Sequence, residues 1–416
     1  MDGRAELVTI LDSARARGAK AAEVLRVEQH QFSQTGARSR PVTRVRATYA
    51  VRVYREGGAT GVGVAPSASA ALEAAVADSV ERPPDAHAGP VERMNVRSGA
   101  LGIDDRRYGA IEEGDRIEVL QLTERAMDRT RAELRELLYQ EERVRRCWMS
   151  TRGVECEEHA TAFSLSALAV LGDVSVPHRI ASRHFSDVAS LPFGAELRRR
   201  VDALAVPMGR PPGALPVVLE PRVAAEMVRS LAPAFAARGV EATFLGAWLG
   251  KALADPILHV TDDAGLFGGC HTRAFDDRGV PPIAVALLKE GVVNGLYHDP
   301  ETARAHGLRP TGHVTDGALR PSNLVVRPGS RTRNVILGEL GLYLALDRFP
   351  PLNVATGRWT GVVPVMVCEK HDRKGSFRAE VDWSVREVLT AVRELAADQE
   401  RNAEVDASTA VLEIGV

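Results

Sequence analysis

None of the eleven histidines in this 416-residue chain is followed by glutamate, and no two of them stand three to five residues apart. That spacing is what turns two imidazoles of one helix toward a metal, with an adjacent glutamate to take the proton from bound water; a hydrolytic zinc needs three such protein ligands at about 2 Å. A helical two-histidine zinc site is therefore excluded. Cysteine is scarce as well. Cys147, Cys156, Cys270 and Cys368 are widely spread, with no Cys-x-x-Cys pair and no regular framework, which fits a reducing compartment better than a secreted scaffold. The chain has no apolar run of about 18 residues, and its start, Met1-Asp2-Gly3-Arg4-Ala5-Glu6, has neither a basic n-region nor an apolar h-region. The expectation is a cytoplasmic protein without a membrane segment. Lysine occurs only at 20, 251, 289, 370 and 374, the other cations being arginine, which we read as genomic base composition. With 53 cations against 55 anions there is no global field toward nucleic acid or lipid, and we find no clustering of the kind a phosphate-binding surface needs.

What is present is ordinary soluble composition, 45% hydrophobic and 26% charged, in a chain long enough for two or three domains. Leu7, Ile10, Leu11 and Ala14 form the stripe of a first helix ended by Gly18, and a strand begins over Glu23 to Val27. Thr48 to Tyr54 and Gly61 to Val64 read as strands about a Gly57-Gly58 turn, followed by a helix capped by Ser67 and carrying Ala71, Leu72, Ala75 and Val76. Residues 82–108 read as a loop or covering segment. Ile117, Leu120, Met127, Leu134 and Leu137 predict one long amphipathic helix over about 115–138, and Val144–Ser150 with Val154–Leu171 predict a hairpin. A short Arg-rich helix and Pro207, Pro211, Pro212 and Gly213 mark a boundary. Beyond it come a strand from Leu215 to Leu219, a helix opened by Pro221, many short strands, a capping box at Ser384–Glu387 opening a helix with Val385, Val388, Leu389, Val392 and Leu395 inward, and a strand at Val411–Ile414. The predicted class is α+β: an N-terminal sheet-plus-helices domain (1–192), a linker helix with the Pro/Gly boundary (193–213), and a mainly antiparallel β domain with flanking helices (214–416).

Candidate chemistry is thin. Gly269-Cys270-His271 is the one local pair of soft ligands, with no other Cys or His within ten residues on its C-terminal side, and it reads as a partly buried loop. Cys147, Cys156 and Cys368 sit in apolar strand patterns and read as core. Asp262-Asp263 and Asp276-Asp277 are paired carboxylates, but neighbours on an extended backbone point apart and both pairs lie near Gly, so Asx-type turns are the reading. Phe267, Leu296, Tyr297, Leu342 and Tyr343, large and near turn signals, are either an interface patch or core.

The order Phe244-Leu245-Gly246-Ala247-Trp248-Leu249-Gly250-Lys251, Asp262-Asp263, Phe275-Asp276-Asp277-Arg278-Gly279-Val280-Pro281, Leu288-Lys289-Glu290-Gly291-Val292-Val293, Thr302-Ala303-Arg304 and Pro310-Thr311-Gly312-His313 resembles the C-terminal half of the TldD/PmbA family. That family builds a zinc metallopeptidase from two related subunits. The resemblance implies a His-Glu-x-x-x-His helix in the zinc branch; here that region reads Val223-Ala224-Ala225-Glu226-Met227-Val228-Arg229-Ser230-Leu231-Ala232, and the expected Cys ligand falls near Val405-Asp406-Ala407. The chain thus resembles the PmbA (TldE) branch. The resemblance implies no metal and no catalytic residue in this chain, zinc in a TldD-like zinc-bearing partner of a heterodimer, and a peptide or small-amide substrate. Further, Thr311, Gly312, His313, Arg320, Asn323, Thr356 and Gly357 resemble loops lining a peptide groove, where Gly allows close backbone approach; the alternative is ordinary tight turns. Arg358 departs from the acid of the family's Thr-Gly-Asp-Tyr/Phe motif. Two other functions stay open: a TldE-like subunit of a hydrolase acting on an amide or peptide intermediate of natural-product biosynthesis, and a homodimeric binding protein.

Overall fold

The computed structural model describes residues 3–92 and 101–416; part of the predicted covering segment 82–108 lies outside them. Helix α1 (Gly3–Ala16) buries Leu7, Ile10, Leu11 and Ala14. Strands β1 (Ala21–Thr35), β2 (Val42–Tyr54) and β3 (Thr60–Ala65) follow, then α2 (Ala68–Glu81), whose first turn is capped by Ser67 Oγ accepting from Ala70 N at 3.4 Å. An added Cβ at Gly61 or Gly63 would stand 2.0 Å from a backbone oxygen of α2, so the helix seats directly on β3 because these residues are glycine. Next come α3 (Glu113–Met127), β4 (Glu133–Ser150), β5 (Glu155–Leu171), β6 (Val174–Ser182), α4 (Phe185–Ser190) and α5 (Phe193–Leu204). The six strands form one antiparallel sheet, β3-β2-β1-β4-β5-β6.

One prediction fails here. The helix expected over 115–138 stops at Met127, where Thr130 closes the turn by donating to Met127 O, and the chain enters β4. Leu134 and Leu137 suit a helical stripe, but Leu137, Tyr139 and Glu141 are the buried alternate positions of a strand held between β1 and β5.

The rest of the chain runs through β7 (Val217–Leu219), α6 (Pro221–Leu231), β8 (Val260–Asp262), β9 (Val285–Lys289), β10 (Val292–Val293), α7 (Pro300–Ala305), β11 (Val314–Thr315), β12 (Ala318–Leu319), β13 (Leu324–Val326), α8 (Arg333–Leu340), β14 (Leu342–Leu346), β15 (Leu352–Asn353), β16 (Arg358–Glu369), β17 (Asp372–Ser384), α9 (Val385–Thr390), β18 (Val392–Asn402) and β19 (Val405–Leu412). Strands β11 and β12 form a small hairpin of their own, and the other strands form the second sheet. Its order is β10-β9-β8-β13-β19-β7-β14-β16-β15, with β17 on β16 and β18 on β19, antiparallel except β13–β19 and β7–β14. The Ser384 capping box is present, but its helix ends at Thr390; Val392 and Leu395 lie in β18, whose bulges mimic a helical spacing.

Helix α5, in the predicted linker, buries Phe193, Leu197, Val201 and Leu204. Its core joins Tyr139 and Phe163 of the first sheet to Tyr343 and Met366 of the second, so one apolar layer runs between them. Of the residues weighed as an interface patch, Tyr297 and Tyr343 are core, whereas Phe267 is 69% and Leu342 40% exposed.

Candidate functional site

Helix α6 begins with Pro221 at its first position, buries Val223, Ala224, Met227, Val228 and Leu231, and leaves Arg222, Glu226 and Arg229 on its other face. Those three line a cavity of about 540 Å³ together with Pro177, His178 and Arg179 of β6 and the turn Asn402–Glu404 between β18 and β19. The polar groups are committed to one another. Arg222 Nη1 donates to Glu226 Oε1 at 2.7 Å, and Glu226 Oε2 accepts from Phe349 N at 2.8 Å. Arg229 pairs with Glu404 and donates to Asn402 O at 3.1 Å. Behind them Arg200, 2% exposed, grips Asp347 with two bonds of 2.9 and 3.0 Å.

His178 is the one imidazole on this cavity. Burial, then the guanidinium groups of Arg200 and Arg222, push it down to about 3, so it is neutral. A zinc here would have one imidazole and paired carboxylates as donors and face Arg179, Arg222 and Arg229. Each guanidinium about 5 Å from a dication costs on the order of 6 kcal/mol at an effective dielectric of ~20. The residues do not fit the metal, and among the described residues no group of three or more His, Cys, Asp or Glu side chains could hold one.

The motif segments form a second cluster. Asp262, wholly buried at the end of β8, accepts from Tyr297 Oη at 2.7 Å, from Ser322 N at 2.8 Å and from Ser322 Oγ, with His313 Nε2 at 3.4 Å. Burial raises its carboxyl, but His313, Ser322 and Tyr297 outweigh this and hold it below the usual carboxylate range. The His313 ring stacks on Tyr297 at 4.7 Å and is 0% exposed. Thr311 is buried with its hydroxyl accepting from His298 N, and Gly312 has φ +73 with room for a Cβ denied by Pro282 Cα at 2.6 Å. Asn323 accepts from His271 N and donates to Asp263 O and Thr272 Oγ1. Arg320 is exposed and donates to Thr315 O. Thr356 and Gly357 lie apart from this cluster, in the turn from β15 to β16, where Gly357 (φ +66) abuts Phe244.

The carboxylate pairs divide. Asp263 closes an Asx turn on Gly265 N at 2.8 Å, and Asp276 does so on Arg278 N at 2.8 Å, whereas Asp277 pairs with Arg146 at 2.5 Å. Cys270 is half-buried against Ala181 O, and His271 is exposed at its ring. Burial pushes the Cys156 and Cys368 thiols up to about 11, so both stay protonated. Sequence reasoning noted Glu226 but missed Arg222 and Arg229 as a polar helix face; their spacing of seven on α6 was the available signal.

Comparison with known proteins places this geometry among relatives. Residues 212–414 match the family described as the PmbA/TldA metallopeptidase C-terminal domain. A 66-residue stretch is 38% identical to a metalloprotease of Synechocystis, spanning 16% of this chain and 14% of that protein. The fold is that of TldE from Thermococcus kodakarensis (TM-score 0.84, 18% identity, 98% of both chains). A Thermotoga maritima protein proposed to modulate a DNA gyrase superposes similarly, with a TM-score of 0.86 at 18% identity over 99% of this chain and 98% of that one.

Proposed function

We propose that this chain, whose residues 212–414 match the PmbA/TldA metallopeptidase C-terminal domain, is the zinc-less partner subunit of a TldD/TldE-type heterodimeric metallopeptidase that cleaves unstructured or modified peptides in the cytoplasm. One observation carries this reading. Helix α6, where the resemblance expects the histidine ligands, and the turn Asn402–Glu404, just before the Val405–Ala407 segment where it expects the cysteine, line a single cavity, and they bring to it the pairs Arg222–Glu226 and Arg229–Glu404 instead of imidazole and thiolate. Related subunits tend to pair through equivalent surfaces about a pseudo-twofold axis, so a chain without ligands still closes its partner's chamber. Metal binding and activation of water belong to the partner; this chain contributes walls.

Mixing with a zinc-bearing homologue tests it. The expected result is a stable complex on size-exclusion chromatography, with hydrolysis of an unfolded peptide only in the mixture. Full activity from the homologue alone would overturn the proposal.

A further inference from the structure

Residues 29–55 contain six arginines and no Asp or Glu, in a chain whose net charge is −2. The fold concentrates that charge along one strand edge. Strand β3 pairs with β2 only from Tyr49 to Tyr54, whereas β1 follows β2 from Val42. The edge of β2 over residues 42–48 therefore has no strand on its outer side among the described residues. Val42 is 46% and Val45 61% exposed, and Arg44 and Arg46 project from the opposite face to Val45. Arg38 and Arg40 stand exposed in the turn that leads into the strand. None of these four guanidinium groups has a hydrogen bond or ion pair among the described residues.

A bare strand edge invites another strand, because every second residue presents an unpaired N–H and C=O outward. Arginines commonly blunt such edges against self-association, and here a second copy would bring the same four cations against each other. That disfavours self-pairing and favours the opposite sign. We propose that the free edge of β2, residues 42–48, binds an extended acidic polypeptide segment as an added strand, its carboxylates spaced two residues apart to meet Arg44 and Arg46. Main-chain bonds supply affinity and the arginines select charge. A nucleic acid would use the same cations without the strand geometry, and that difference separates the two.

The test uses this chain alone and a fluorescent peptide alternating Glu with Val and Thr, read by anisotropy. Its failure would thus leave the partner-subunit reading standing. Saturable binding is expected, weakened at least tenfold in R44E/R46E and at least tenfold when alternate peptide nitrogens are methylated. Thermal melting confirms that the variant is folded; R44Q/R46Q replaces it otherwise, with a smaller loss expected. No saturable binding, equal binding of the methylated peptide, equal binding of a single-stranded oligonucleotide, or a dimer of this chain that acidic peptide leaves intact would each overturn the proposal.

Discussion

At the scale of single residues, Gly312 and His178 carry the sharpest consequences, one for the backbone and one for pH. Gly312 is drawn out by its motif as a place of close approach, and what approaches is the chain's own Pro281–Pro282. Gly312→Val is therefore expected to destabilise the fold by about 3 kcal/mol, combining a β-branched residue at positive φ with overpacking. Urea denaturation checks this, and an unchanged midpoint would refute it. His178 gives a pH signature. Its folded value of about 3 lies below the unfolded ~6.5, so as pH falls from 6.5 the unfolded state takes up a proton that the folded state does not. Stability falls at up to roughly 1.4 kcal/mol per pH unit across that window and is insensitive to this group below about 3. His178→Gln should flatten the slope by that amount in urea titrations at pH 4–6. Asp262 has the opposite chemistry with the same sign. Its depressed carboxyl contributes stability above its unfolded value near 3.9, lost as pH falls through the folded value.

At the scale of elements, local signals were legible and periods were ambiguous. Ser67 and Ser384 mark true helix starts because each side chain accepts from a backbone N–H within one turn of its own sequence, and Pro221 does so because its fixed φ suits the first helical position. Ser384→Ala should cost about 1 kcal/mol, measured as a shift in denaturation midpoint, since it removes the bond to Glu387 N. Helix ends misled where strand followed helix without Pro or a Gly stop. Leu134, Leu137, Val392 and Leu395 satisfied a helical stripe, while the residues that pair with them stand at the far ends of long hairpins, Leu134 opposite Ala169 and Val392 opposite Leu412.

At the scale of the whole molecule, the alternation of helical and strand patterns gave the α+β class, but not which distant residues meet at the α6 cavity. Arg229 and Glu404 are 175 residues apart, and only the position of β19 beside β7, beneath α6, brings them together. The groove candidates were legible as special backbone: Thr311 bonds His298, His313 faces Asp262, Gly312 packs on Pro281–Pro282, and Asn323 bonds His271, Asp263 and Thr272. Zinc analysis of this chain mixed with a zinc-bearing homologue, and of each alone, tests the central claim most directly. The account predicts one zinc per active heterodimer, retained by the homologue, and well under one zinc on this chain; stoichiometric zinc held by this chain's own residues would contradict it.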